Sequence, residues 1–238
     1  MGHAIETLAP SRNHEIIVTI DNPTEWQQRI DLLRQADVAI DFSQPDVAVE
    51  NIRKCFDINM PIVVGTTGWY DHLDAIVEEC RAKGQSLFVA SNFSIGMNIM
   101  FDLNRRLAHL MNRYDYAVAI SETHHVHKLD APSGTAITLA RDIIGQLDSK
   151  DSWHLAAEIW PDGTRQASAC AATAVPITSI REGEVPGIHE VVYDNAIDTI
   201  TLRHSAKSRT GLAQGAILAA EYLIQNKGYH TMQDLLAE

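Results

Sequence analysis

The first hundred residues alternate short apolar runs with amphipathic stretches, and that alternation restricts the fold more than any other feature of the chain. The runs EIIVTID (15–21), ADVAIDFS (36–43), PIVVGTTG (61–68) and SLFVASNFS (86–94) predict strands, and the stretches 25–35, 45–58 and 71–83 predict helices. Strands alternating with helices at this spacing form βαβ units on a parallel sheet, a Rossmann-like α/β arrangement. Three of the runs end in small or polar residues: Asp41-Phe42-Ser43, Gly65-Thr66-Thr67-Gly68 and Ala90-Ser91-Asn92-Phe93-Ser94. Open α/β sheets bind ligands at those carboxyl ends, so the clusters are expected to line one crevice.

After residue 95 the rhythm changes. A long helix is predicted over 96–112, a strand over 114–122 and a helix near 135–147. Strand-like stretches follow without helices between them, at 167–182, 189–195 and 198–206. Strands grouped apart from helices predict an α+β domain with an open, largely antiparallel sheet. A final helix over 211–227 is predicted to return to the first domain. The expected organisation is therefore residues 1–94 with 207–238 as one domain, and 95–206 as the other.

Composition excludes several classes. The formal charge of −12, from 19 basic and 31 acidic residues, argues against a general nucleic-acid surface, because phosphate binding needs a concentrated positive field. No apolar run approaches the ~20 residues needed to span a bilayer, and the N-terminus has no hydrophobic signal core, so no membrane is expected and the protein reads as cytoplasmic. Cys55, Cys80 and Cys170 lie far apart without a CxxC pair, which predicts reduced thiols packed as small apolar groups.

Chemistry concentrates in ETHHVHKLDAPSGTA, residues 122–136. A strand end delivers His124, His125 and Lys128, and Pro132-Ser133-Gly134-Thr135 opens a helix whose first amides make an anion site. The histidines exchange protons near neutral pH, and Lys128 adds a movable positive charge, so a dianionic ligand fits. Of His124, His125 and His127, only His125 and His127 share a side of an extended segment, so no metal is expected.

This segment resembles the signature of the 4-hydroxy-tetrahydrodipicolinate reductase (dihydrodipicolinate reductase) family, E-x-H-H-x-x-K-x-D-A-P-S-G-T-A, at every fixed position. The resemblance extends to GTTG (65–68), NFSIGMN (92–98), REGEVPGIHE (181–190) and HSAKSRTGLAQGAILAAEYL (204–223). It implies hydride delivery from NADH or NADPH to C4 of the substrate ring as the 4-hydroxyl is lost, in the diaminopimelate route to lysine. By motif position, His124 is the acid/base at the neighbouring carbon and Lys128 the second proton donor, while His125, Gly134 and Thr135 hold the dicarboxylate substrate. Gly65, Thr66 and Thr67, then Ala90, Ser91, Asn92 and Phe93, fall where the family contacts the dinucleotide. Asp21 occupies the place of the acidic residue that binds the adenosine ribose, and Asn22 follows it rather than an arginine, which favours NADH. The family also implies a homotetramer.

The resemblance departs at the N-terminus. The family begins with a strand and a glycine-rich turn, whereas here the helical stretch AIETLA stands directly behind Met1-Gly2. A dinucleotide-binding domain incomplete at its N-terminus is therefore expected, with an internal methionine as the starting point of the sequence. Two further functions stay open on the residues alone: a dicarboxylate-binding homologue with impaired cofactor binding, and another NAD-linked oxidoreductase on the same frame.

Overall fold

The computed structural model describes residues 1–163, 165–169 and 171–237. The chain divides into two compact units, Met1–Ile95 with Thr210–Glu238, and Gly96–Arg209.

In the first unit the elements run α1 (Gly2–Leu8), a 3-10 turn, α2 (Pro23–Gln28), α3 (Ile30–Leu33), β1 (Ala39–Asp41), α4 (Pro45–Asp57), β2 (Ile62–Val64), α5 (Leu73–Ala82) and β3 (Leu87–Val89). The second unit holds α6 (Ile95–Met111), β4 (Ala117–His124), α7 (Gly134–Ile144), β5 (Ser152–Ile159), β6 (Arg165–Ala167), β7 (Ala174–Arg181), β8 (Ile188–Asp194) and β9 (Thr199–Ser205). The chain then returns to the first unit through α8 (Thr210–Gln225), β10 (Tyr229–His230) and α9 (Met232–Leu236).

The first unit is a parallel sheet of order β1-β2-β3-β10. Its central strands β2 and β3 are buried on both faces, as a sheet covered by helices on two sides requires, while the edge strands β1 and β10 are half-buried. Val63 and Phe88 pack against Ala213, Ala216, Ile217 and Ala220 of α8, together with Ile5 of α1. Ile62, Val64, Leu87 and Val89 face the other way, against Ile52 and Phe56 of α4 and Ile76 and Cys80 of α5. Helix α8 comes very close: a Cβ on Gly215 would fall 1.7 Å from the carbonyl oxygen of Phe93, so only glycine permits this approach. Cys55 and Cys80 are free and buried, as expected, and Cys170 lies outside the described residues.

Two expectations for this unit fail. The run 15–21 forms no strand: Ile16 and Ile17 are exposed, and β1 pairs only with β2. A run of β-branched residues becomes a strand only where a neighbour completes its ladder, and among the described residues no strand pairs with this one. The helix expected over 25–35 is interrupted at Arg29, whose backbone leaves the helical region (φ −113°, ψ 12°) while its guanidinium donates to the Thr19 carbonyl at 2.8 Å. Asn22 caps the first of the two short helices by accepting from the Glu25 amide.

The second unit is a mixed sheet of order β6-β5-β7-β4-β8-β9. β4–β8, β8–β9 and β5–β6 are antiparallel, whereas β4–β7 and β5–β7 are parallel. Helices α6 and α7 cover one face, where Val118, Ile120, Val175, Ile177, Val191 and Tyr193 meet Met100, Leu139, Ala140 and Ile143. Strand β5 was not expected. Its ladder with β7 carries an irregularity at Leu155/Ala157, and most of its side chains are only half-buried, so its alternation is weak in the sequence. The single strand expected over 167–182 is instead the end of β6, a connection and β7.

Candidate active site

Period-two burial in the mixed sheet explains why a polar centre forms there. On β4 the inward positions read Val118, Ile120, Glu122, His124; on β7 they read Val175, Ile177, Ser179, Arg181; on β8 they read Tyr193, Val191, His189. Each column is aliphatic or aromatic in its body and polar at one end. The register sets these ends side by side, because Glu122 pairs with Ser179 and His189, and His124 pairs with Arg181. The start of α7 closes over them with Ser133.

Burying these groups is tolerable only because each is answered. Oε1 of Glu122 accepts from Ser179 Oγ at 2.8 Å, from the Ser133 amide at 3.2 Å and from both terminal nitrogens of Arg181 at 3.3 Å. Its second oxygen, Oε2, faces Nδ1 of His124. Burial alone would push the Glu122 carboxyl up, but the hydrogen bonds of His124 and Ser179 and the charges of His124 and Arg181 hold it down to about 2. Glu122 is therefore an anion in the folded protein at neutral pH.

His189 behaves oppositely. Burial, reinforced by the charge of His124, pushes its imidazole down to about 3, so the ring is neutral. Ser133 Oγ accepts from the Ala136 amide and lies 3.2 Å from Nε2 of His189, so the hydroxyl proton is available to that nitrogen. The ring stands edge-on to His124 with centroids 5.1 Å apart. His124 itself retains 8% exposure, and a Cβ on Gly187 would fall 3.1 Å from its Nε2, so glycine at 187 leaves that nitrogen uncrowded.

The remaining signature residues lie beside this centre. Lys128 Nζ donates to Asp130 Oδ1 at 2.7 Å, and this contact outweighs partial burial in holding the Asp130 carboxyl below the usual range. His125 Nε2 lies 3.1 Å from a guanidinium nitrogen of Arg209, and burial and that charge keep its imidazole below the ordinary value. The neutral ring is thus the acceptor. The rings of His125 and His127 lie 6.0 Å apart, whereas His124 is turned inward. Gly134 is exposed and opens α7, with Thr135 half-buried behind it, where the first turn of a helix presents amides that have no carbonyl of their own helix.

Glu122, His124 and His189 offer donor atoms within 4.8 Å of one another, the spacing of a cation site. The Arg181 guanidinium already supplies positive charge at 3.3 Å from the same carboxylate. The donor set suits proton transfer between neighbours better than the capture of a second cation.

In the first unit, Gly65, Thr66 and Thr67 line a surface cavity of about 240 Å³ with Met1, Phe42, Ser43 and Pro45. Asp41, at the end of β1, accepts from Thr66 Oγ1 at 2.7 Å, Ser43 Oγ at 3.1 Å and Asn51 Nδ2 at 3.1 Å, which braces the β1 and β2 ends together. A Cβ on Gly65 would fall 2.1 Å from the Phe42 ring, so glycine lets the turn lie flat against it. Ala90, Ser91, Asn92 and Phe93 follow β3 beside that turn, joined through the Ala90 amide and the Val64 carbonyl. Phe93 is buried against Phe42 and Phe88, so its side chain is a core group and only its backbone stands at the strand end. Asp21 ends no strand, contrary to expectation; it is exposed and its amide donates to Glu25. Small residues and hydroxyls at adjacent carboxyl ends of a parallel sheet fit the backbone approach and ribose contacts that a dinucleotide needs.

Reading the sequence left Glu122, Arg181 and His189 without roles, and gave Ser133 only that of a helix start. The signal was present in the inward columns, where Glu122 and Arg181 stand at positions that the preceding residues mark as core.

An open parallel sheet with such ends, carried in one chain with an enclosed acid–base pair, is the frame of a dinucleotide-dependent reductase. Residues 1–93 match the family model described as dihydrodipicolinate reductase, N-terminus, and residues 96–236 match that described as dihydrodipicolinate reductase, C-terminus. The 4-hydroxy-tetrahydrodipicolinate reductase of Christiangramia forsetii is 42% identical over 239 aligned positions, covering 100% of this chain and 94% of that protein. That of Methanopyrus kandleri is 33% identical, covering 86% and 73%. Among solved structures, the dipicolinate-bound dihydrodipicolinate reductase of Paenisporosarcina sp. TG-14 is similar in fold, with a TM-score of 0.70 at 23% identity over 94% of this chain and 83% of that one. The chain belongs to the dihydrodipicolinate reductase family.

Proposed function

We propose that this chain reduces 4-hydroxy-tetrahydrodipicolinate to tetrahydrodipicolinate with a reduced nicotinamide dinucleotide, in the diaminopimelate route to lysine. The carrying observation is the Glu122–His124 pair, an imidazole backed by a buried carboxylate four residues from Lys128.

In this reading Nε2 of His124 takes the proton from the carbon beside C4, and Lys128 gives a proton to the departing 4-hydroxyl, which leaves as water. The reduced nicotinamide, when bound, supplies the hydride for C4. His124 then returns its proton to the neighbouring carbon, so the turnover consumes one hydride and the one proton from Lys128. Glu122 stabilises the imidazolium formed between the two steps, as a buried carboxylate behind a catalytic histidine does. His125, Gly134 and Thr135 hold the two substrate carboxylates, with the opening of α7 as the anion site.

The unit carrying the parallel sheet takes the dinucleotide through Gly65, Thr66, Thr67 and residues 90–93, and Asp21 takes the adenosine ribose. NADH is the preferred donor, because the exposed Asp21 carboxylate would repel a 2′-phosphate and the guanidinium of Arg29 is engaged by the Thr19 carbonyl. The mixed-sheet unit holds the substrate and builds a homotetramer. Among the described residues no helix is long and apolar enough to cross a membrane, and the free thiols of Cys55 and Cys80 suit a reducing cytoplasm.

The test is substrate-dependent loss of reduced-nicotinamide absorbance with 4-hydroxy-tetrahydrodipicolinate, run with NADH and with NADPH. Turnover with a higher kcat/KM for NADH supports the whole reading. Binding of pyridine-2,6-dicarboxylate without any dinucleotide oxidation would replace it with a dicarboxylate-binding role.

A further inference from the structure

Arg181 carries the permanent positive charge that touches Glu122 among the described residues, yet it spends most of its donors elsewhere. Its side chain is fully enclosed. Nη1 donates to its neighbour's carbonyl, Ile180 O, at 2.9 Å. Nη2 donates to the Asp130 carbonyl at 2.7 Å, and Nε lies 3.4 Å from the Lys128 carbonyl. Both terminal nitrogens also reach Oε1 of Glu122 at 3.3 Å. One rigid guanidinium therefore holds the carboxylate behind His124 and, at the same time, the backbone on which Lys128 is mounted.

We propose that Arg181 is the positioning residue of this reaction: it sets His124, through Glu122, and Lys128, through the carbonyls of Lys128 and Asp130, in one fixed relation. The proposal rests on the reductase reading given above and adds the reason why two proton-handling groups on different segments keep their spacing. The register explains how. Arg181 stands on β7 opposite His124 on β4 and reaches diagonally to Glu122, while the loop after β4 folds back over its other edge. A planar fork with five N–H donors can serve a carboxylate and two carbonyls in different directions, and an ammonium cannot hold that geometry. Oε1 of Glu122 is occupied by Arg181, Ser179 and the Ser133 amide, so Oε2 is left to His124 Nδ1. That arrangement places the imidazole proton on Nδ1 and keeps Nε2 as the base. The groups facing the ring are Glu122 from its own strand and His189 from β8, with Arg181 standing opposite on β7, while the Lys128 charge acts on His189.

The experiment reads the ring directly and turnover separately. Nitrogen-15 NMR of the histidine rings, with His124 assigned by the signals lost in His124→Asn, is recorded on the full chain as wild type, Arg181→Lys and Glu122→Gln. The wild type is expected to carry its neutral-form proton on Nδ1. Glu122→Gln keeps the shape but turns an amide N–H toward Nδ1, so the proton moves to Nε2 and kcat falls by about 10³–10⁴-fold. Arg181→Lys is expected to give mixed tautomers and to lower kcat by roughly 10–100-fold with substrate KM within about threefold, as a positioning defect does. The double variant is expected to be no worse than Glu122→Gln alone, because both changes act on one unit.

A wild-type ring protonated on Nε2 overturns the proposal whether or not any variant folds. So does Arg181→Lys with an unchanged tautomer and unchanged kcat, or a double variant whose losses multiply. If the wild type shows the Nδ1 proton but does not turn over 4-hydroxy-tetrahydrodipicolinate, the substrate assignment fails while the arrangement around His124 stands.

Discussion

The two units handle polar groups in contrasting ways. At the ends of β1, β2 and β3 most of the groups are shallow: Thr67 and Ser91 are exposed and Asp41 is half-buried, although Thr66, one of the three neighbours that brace it, is enclosed. At the ends of β4, β7 and β8 they are enclosed, with Glu122 and Arg181 each 1% exposed and answered from four directions. A surface that receives a large ligand by its backbone can remain open to water. A pair that passes protons gains from a dry, fixed setting, where each electrostatic interaction is stronger and needs no reorganisation.

The contrast is open to attack in several places. The largest effect is expected at the centre of the enclosed site, where His124→Ala should lower kcat by about 10³-fold or more with the fold intact by circular dichroism. A loss under tenfold would remove His124 from the chemistry. Next, Arg181→Met leaves the Glu122 charge buried without its cation, and should cost about 3–5 kcal/mol of stability. Denaturant midpoints measure the loss, and hydrogen exchange should place it in residues 96–209.

Acid should separate the units further. Glu122 falls to about 2 from an ordinary 4.5, and His189 falls to about 3 from 6.5. Both depressed values mean that the unfolded chain binds more protons, so their contribution is complete above 6.5 and is lost as pH falls towards 2. Amides of the mixed sheet should therefore lose protection across that window, and His189→Gln should flatten its upper part. Equal loss in both units would deny that the enclosed site is the acid-sensitive one.

Smaller effects are expected at the open end. Thr66→Val removes the hydroxyl that both donates to Asp41 and accepts from the Ser43 amide, which should cost about 1–2 kcal/mol. The readout is a several-fold rise in dinucleotide KM with kcat little changed. The smallest is His127→Ala: its ring is exposed, its ion pair is with the exposed Glu184 and its ring contact with His125 is loose at 6.0 Å, so turnover and stability should stay near wild type.

Much of this was legible in the sequence, for reasons that differ by region. β1, β2, β3, α4 and α5 are marked by short apolar runs and by Pro45 or glycine at their borders, signals that act locally. The failure at 15–21 has a non-local cause, since a strand depends on a partner that the run itself does not name. β10 is two residues long and owes its existence to the edge of β3. In the site, His124 and Lys128 were legible because their motif is contiguous. Arg181 contacts Glu122 across 59 positions, through a register that no local pattern states. What could have been read is the switch from aliphatic to polar on inward positions of two separate strands, at Glu122 and at Ser179 and Arg181.

The first unit is assembled from both sides of the second. Val63 and Phe88 are covered by α8, whose residues follow the 114 positions of Gly96–Arg209 in the chain. On a ribosome adding about 5–20 residues per second, the parallel sheet waits on the order of ten seconds between the emergence of β3 and that of its covering helix. During that interval the mixed-sheet unit, continuous in the chain, can close on its own. The order of birth thus favours the mixed-sheet unit as the first folded part of the nascent protein, with the apolar face around Phe88 as the surface that a chaperone would have to shield.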